Sequence, residues 1–174
     1  MSKTARNADE SQDELKLLYL KLLKVFYEKP NHKQASAVAE ELEKVAAARP
    51  GFQDSIKGEE VRSLLAEVRG DLNSAARSRE AEIRKILELH ALSANTPGWP
   101  HVLRQYDYSD ISDRLDLLAA LYDKQGDEDR AIATLQESKQ WCQSHQIAFD
   151  GQDLLDELLE HRGSAGRSKR RETA

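Results

Sequence analysis

Histidines are the residues of this sequence with the widest chemical range, and their spacing indicates no metal site. They stand at His32, His90, His101, His145 and His161. A helical zinc site needs the His-x-x-x-His or Glu-x-x-His spacing, and none of the five provides it. One of them, His90, continues an apolar stripe, so we expect it to be a structural residue near a helix end. No metal ligand is predicted.

Aspartates recur every third residue in one segment of the chain. They are Asp107, Asp110, Asp113 and Asp116. Carboxylates on one helix face could bind a hard cation or act as an acid and base pair. The alternate-residue spacing and the glycine of a calcium loop are absent, however, and Ser109 or Asp110 is well placed as a helix N-cap. We therefore interpret the run as a solvated acidic face.

Cys142 is the one cysteine of the chain, and His145 follows it three residues later. A Cys/His nucleophile needs a third, orienting group that the sequence does not reveal, so a small buried thiol is the favoured interpretation. The glycines are too scattered for a phosphate-binding loop. We therefore predict a protein that is not an enzyme and that has no cofactor.

Aromatic residues around the clearest loop form the best candidate for a binding site. The loop Asn95-Thr96-Pro97-Gly98-Trp99-Pro100 is followed by Tyr106 and Tyr108. Aromatics on an irregular connection can act as rigid anchors for a partner, so Trp99, Tyr106 and Tyr108 are predicted partner-binding residues. The same side chains could instead fill a gap between two helical layers. Arg104 alone gives too little positive charge for a nucleic-acid site here.

The elements that must position these residues are predicted to be helices. The 174 residues are 39% hydrophobic and 33% charged, with only eight glycines and four prolines. Such a composition favours helix, and no alternating strand pattern occurs. We predict an all-α fold, an antiparallel helical bundle or short helical-repeat-like array of about six to seven helices. Its single domain is expected over residues 13–162, between disordered tails over 1–12 and 163–174.

The compartment and the charge narrow the range of partners. A membrane-spanning run and a secretory leader are both lacking, and one cysteine cannot form an intrachain disulfide, so a cytoplasmic location and no membrane partner are expected. The net charge is −5, but the last twelve residues carry +3 and the rest −8. An acidic body disfavours nonspecific duplex binding. A nucleic-acid-associated regulator that uses the basic tail and the charged helix around Arg77–Lys85 is the alternative function.

The first helix is apolar on nearly every side. From Leu15 to Tyr27 only three lysines interrupt apolar residues. A helix of this kind is buried on several sides, either centrally in the bundle or in a subunit interface. In the second case Leu18, Leu22 and Phe26 would form the seam of a homo-oligomer. A later segment, residues 59–92, is interpreted as one long helix with an exposed waist or as two helices broken near Asn73.

Leu118, Ala119, Tyr122, Gly126 and Ala131 fall at the steps of a known helical pattern, followed by Leu135 and Ser138. The segment Ser112 to His145 resembles a tetratricopeptide repeat, a helix–turn–helix unit of about 34 residues. Leu115 replaces the usual tryptophan, and Gln143 stands where a proline commonly closes the unit. The hairpin from Leu15 to Pro50 resembles the same repeat more weakly, because it lacks the turn glycine.

The resemblance implies a function without chemistry of its own. Proteins of this family generally bind other proteins in a concave groove. We therefore predict a non-enzymatic protein–protein interaction module, an adaptor or a regulatory subunit, with Leu115 and Tyr122 as further partner-binding residues. The partner is expected to be a protein.

Overall fold

The fold is all-α, as the sequence predicted. The computed structural model describes residues 14–28, 30–94 and 106–172, and these contain helices and no strand. Helix α1 covers residues 14–28, and its last turn, Lys24–Glu28, is π-helical. The others are α2 (His32–Ala47), α3 (Ile56–Val68), α4 (Leu72–Ala94), α5 (Tyr108–Lys124), α6 (Glu128–His145) and α7 (Gln152–Glu172), with a 3-10 turn at Phe52–Asp54.

Several helix ends follow from local sequence. Asn31 caps α2 by accepting a hydrogen bond from the amide of Gln34 at 3.1 Å. Helix α3 begins before the predicted segment 59–92, because the Ser55 hydroxyl accepts the amide of Gly58 at 3.0 Å. Helix α7 continues to Glu172, into the segment 163–174 that was expected to be a disordered tail.

The segment 59–92 is divided between two helices. The chain breaks at Gly70, whose φ of 77° is left-handed and therefore suits glycine. Asp71 then accepts the amide of Ser74 at 3.0 Å and so begins α4. Of the two interpretations that the sequence left open, the two-helix one is correct, with the break three residues before Asn73.

Contacts divide the chain into two compact units, Met1–Glu82 and Ile83–Ala174. In the first unit, α1, α2 and α3 enclose one apolar core. Small side chains such as Ala35 and Ala39 are fully buried on α2, which allows neighbouring helices to approach closely. The large buried side chains of this core are Leu15, Leu18, Leu22, Val38, Leu42, Val61, Leu64 and Leu65.

The predicted oligomer seam belongs to this core. Leu18 and Leu22 are buried inside the first unit, and Phe26 is partly buried against the same cluster. Their burial fits a central position in the bundle, and their part in an oligomer stays a prediction. The large apolar or aromatic side chains of α1 that are exposed are Leu17, Leu20 and Tyr27.

Polar residues of the first unit pair with one another beside the core. The Tyr19 hydroxyl donates to Glu60 at 2.5 Å, and the Tyr27 hydroxyl donates to Glu67 at 2.6 Å. Burial, followed by the nearby carboxylate, raises the pKa of Tyr19 well above its ordinary value. These bonds attach α1 to α3.

The charged part of α4 is not a uniform basic face. Arg79 and Glu82 form a buried ion pair at 2.5 Å, so Arg79 is turned away from solvent. The helix around Arg77–Lys85 therefore presents fewer exposed cations than its sequence suggests.

In the second unit, α5 and α6 form an antiparallel hairpin, and α7 packs on α6. Gly126, with a φ of 76°, reverses the chain, and Asp127 caps α6. Ala119 and Ala131 are both fully buried where the helices approach. Each helix buries one apolar stripe against the other: Ile111, Leu115, Leu118, Ala119 and Tyr122 on α5, and Ala131, Ile132, Leu135, Ser138 and Cys142 on α6.

Within the described residues, no helix is both long enough and apolar enough to cross a lipid bilayer.

Candidate functional site: an aromatic cluster at the open end of a helical hairpin

Helix α5 begins at a capping box that fixes the first turn of the hairpin. The carboxylate of Asp107 accepts the amides of Ser109 and Asp110, while Asp110 accepts the amide of Asp107 at 2.8 Å. The cap is therefore Asp107, and the prediction of Ser109 or Asp110 was wrong because the helix starts at Tyr108. Tyr108 consequently lies in the first turn, at the open end of the hairpin.

Four rings meet at this end, and we call them the aromatic cluster: His90, Tyr108, Trp141 and His145. The Tyr108 ring stacks on His90, with centroids 5.1 Å apart, and on His145 at 4.2 Å. His145 in turn lies 4.0 Å from Trp141. The cluster therefore joins the end of α4 to the first turn of α5 and the last turn of α6.

Hydrogen bonds to main-chain carbonyls hold two of these rings in place. Trp141 Nε1 donates to the carbonyl of Tyr108, and His145 Nδ1 donates to the carbonyl of Trp141, both at 2.9 Å. A carbonyl only accepts, so Nδ1 of His145 is the donor in this bond. The ring orientations are thus fixed by bonds as well as by stacking.

Tyr108 stays accessible in spite of these contacts. Its side chain is 44% exposed, whereas Trp141 and His145 are partly buried beside it. Tyr106 is partly buried too, and the guanidinium of Arg114 lies 5.7 Å from its ring centroid.

Carboxylates crowd the same end of the hairpin. The Ser109 hydroxyl is the main cause of a lowered pKa at Asp107, and backbone amides and the charge of His90 add to it. Burial raises the pKa of Asp113, and the charges of Asp110 and Asp150 raise it further. The surface around Tyr108 therefore carries negative charge.

The aspartate run divides into different roles. Asp110 belongs to the cap and lies 3.1 Å from Arg114, and Asp113 is exposed. Asp116 is half-buried, and burial raises its pKa in spite of a hydrogen bond from Ser138. Among the residues that the structure describes, no group of three His, Cys, Asp or Glu side chains is arranged to hold a metal ion.

Cys142 is buried between the two helices of the hairpin, as predicted. Its Sγ lies 3.0 Å from the hydroxyl of Ser112, which also lies 3.1 Å from the hydroxyl of Ser138. His145, the other member of the possible Cys/His pair, stacks on Trp141 and Tyr108. The polar group beside the thiol is therefore the Ser112 hydroxyl.

The predicted partner-binding residues fall into three groups. Tyr106 and Tyr108 lie at the open end of the hairpin. Leu115 and Tyr122 are buried, and the Tyr122 ring is covered by the guanidinium of Arg130 at 4.0 Å. Trp99 lies outside the described residues.

Sequence reasoning missed three members of the aromatic cluster. His90 was interpreted as a structural residue, while Trp141 and His145 were not connected with Tyr108. A usable signal did exist, because Trp141 and His145 are four residues apart near the end of α6. In an antiparallel hairpin that end lies beside the start of α5.

Comparison with protein-family models, curated proteins and solved structures finds no match for this chain.

Proposed function

We propose that this protein is a non-enzymatic protein–protein interaction module, an adaptor or regulatory subunit, which contacts its partner through the aromatic cluster. The observation that carries the proposal is the exposure of Tyr108 within a group of rings whose orientations are fixed. Large aromatic side chains dominate the energetics of many protein interfaces.

Rigidity supports this assignment. A side chain that is already ordered loses little conformational entropy when a partner binds, so more of its contact energy appears as affinity. Tyr108 is stacked on His90 and His145, and its carbonyl accepts the indole proton of Trp141. The resemblance of residues 112–145 to a tetratricopeptide repeat favours the same kind of function.

Charge indicates the chemistry of the partner at this surface. Asp107 and Asp113 are exposed beside the cluster. A partner segment with lysine or arginine would pair with these carboxylates. We place this interaction in the cytoplasm, in keeping with a single cysteine that is a buried free thiol.

A photo-crosslinking experiment tests the proposal. The full chain carries benzoylphenylalanine at position 108 or, as a control, at position 117, where Leu117 is 47% exposed in the same unit. We expect a cytoplasmic protein to be crosslinked from position 108 and not from position 117. That protein, identified by mass spectrometry and purified, is then titrated with wild-type chain and with Tyr108→Ala.

If Tyr108 is an interface anchor, Tyr108→Ala should bind the partner about tenfold or more weakly than wild type does. Equal binding by Tyr108→Ala and wild type, or equal crosslinking from both positions, would show that the cluster is not the contact surface.

A further inference from the structure

Helix α1 exposes an apolar strip on the side that faces away from the core of its unit. Leu17 is 67% exposed, Leu20 is 50% exposed and the ring of Tyr27 is 47% exposed. Three and seven residues separate them, which places all three on one side of the helix. The opposite side, with Leu15, Leu18 and Leu22, is buried in the core of the first unit.

Lysines accompany this strip. Lys16, Lys21 and Lys24 are all exposed on α1. None of them forms an ion pair with another residue in the part of the chain that the structure describes, whereas Lys57 nearby in the unit is paired with Glu60. We call Leu17, Leu20 and Tyr27, with these three lysines, the outer face of α1.

The charge of this face argues against two other occupants. A second copy of the chain would bring lysines against lysines, which repel one another. A membrane of anionic lipids would attract the lysines, but so extended a surface would also meet the negative charges of this acidic chain, whereas a single helix need meet only the lysines beside it.

We propose that the outer face of α1 docks an acidic amphipathic helix of a partner protein. Leucine-like side chains of that helix would cover Leu17 and Leu20, and its aspartates or glutamates would pair with Lys21 and Lys24. Pairing of two helices in a coiled coil uses the same combination of apolar contacts and flanking charge. This surface lies in the first unit and the aromatic cluster in the second, so it goes beyond the function proposed above.

A designed peptide serves as the probe. It is a labelled helix of about four turns, the length of α1, with leucines on one face and glutamates on both sides of them. The matched peptide has lysine in place of every glutamate. Fluorescence anisotropy with the full chain at low salt should show binding of the acidic peptide and none of the basic one, and added salt should weaken it.

Substitutions on α1 should change this binding in two distinct ways. The double variant Leu17→Ser with Leu20→Ser should bind the acidic peptide about tenfold or more weakly than wild type does. Lys21→Glu with Lys24→Glu should reverse the preference toward the basic peptide. Leu117→Ser and Lys33→Glu are controls of similar exposure outside the face, and both should bind as wild type. Circular dichroism verifies that each variant remains helical.

Several results would overturn the proposal. They are absence of acidic-peptide binding, equal weakening by Leu117→Ser, a wild-type dimer that the serine pair makes monomeric, or anionic vesicles that bind wild type and release the serine pair. Tyr108→Ala should leave peptide binding unchanged, so a failure of this proposal is distinguishable from a failure of the function assigned to the aromatic cluster.

Discussion

Asp116 and Asp107 show how differently two aspartates of one helix segment are treated. Asp107 is exposed and accepts two amides and a hydroxyl, which lowers its pKa. Asp116 is half-buried, and its Oδ1 lacks a hydrogen-bond partner within the described part of the chain. Burial raises the pKa of Asp116, and the charges of Asp113 and Asp150 contribute in the same direction.

Asp116→Asn should therefore stabilise the protein at pH 7. A carboxyl whose pKa is raised by folding is destabilising when ionised, because the folded state binds its proton more tightly than the unfolded state does. The destabilisation is fully present above the folded pKa and is relieved as the pH falls toward the unfolded value of about 3.9.

Denaturant unfolding of wild type and Asp116→Asn at pH 7 and at pH 4 measures this difference. We expect the advantage of asparagine to be larger at pH 7. An advantage that is equal at both pH values would mean that ionisation of Asp116 is not its cause.

At the scale of elements, the break between α3 and α4 depends on one backbone conformation. Gly70 has a φ of 77°, and an added Cβ would meet no atom within 4 Å. The cost of Gly70→Ala is therefore the cost of the left-handed conformation, about 1 kcal/mol.

Gly163→Ala provides the matched control for Gly70→Ala. Gly163 also has open space around it, but it lies within helix α7. Alanine there should leave stability unchanged or raise it by up to about 1 kcal/mol. Chemical unfolding of both variants checks the pair, and a loss of the same size at both positions would rule out the backbone explanation.

Elements with a regular apolar period could be predicted from the sequence. The stripe of α5 from Ile111 to Tyr122 needs only helical spacing and a turn at Gly126, and both are as expected. The break after α3 was left open because the apolar stripe resumes beyond Gly70, although a glycine followed directly by the N-cap residue Asp71 is a local pattern that favours the break. The exposed side of α1 could not be predicted either, since its leucines occupy nearly every position.

The aromatic cluster was only partly predictable for a related reason. Tyr108 was recognised because it follows a loop. His90 joins it through tertiary packing with a residue of another helix, for which the sequence carries no local signal, whereas the spacing of Trp141 and His145 near the end of α6 is a signal that could have been used.

At the scale of the whole molecule, an unfolding experiment decides whether the two compact units unfold independently or together. Trp141 lies in the second unit, Ile83–Ala174, and the other tryptophan, Trp99, is replaced by phenylalanine in every variant of this experiment. Tryptophan fluorescence therefore reports on that unit, while far-ultraviolet circular dichroism reports on all helices.

Leu42→Ala and Leu135→Ala should distinguish the unfolding transitions of the two units. Each leucine is fully buried, one in each unit, and each truncation should cost about 2–5 kcal/mol. We expect Leu42→Ala to lower the dichroism transition and leave the fluorescence midpoint in place, and Leu135→Ala to lower the fluorescence midpoint. If every variant moved both signals together, the chain would unfold as the single domain that its sequence suggests.

The buried thiol of Cys142 can report on opening of the α5–α6 hairpin. Its thiol is 1% exposed between α5 and α6, so a thiol reagent reaches it only when the hairpin opens. The rate of modification under native conditions therefore measures how often these helices separate. A partner that binds at the open end of the hairpin should slow that rate. Because the native thiol stays protected, a cysteine introduced elsewhere on the surface can be labelled selectively.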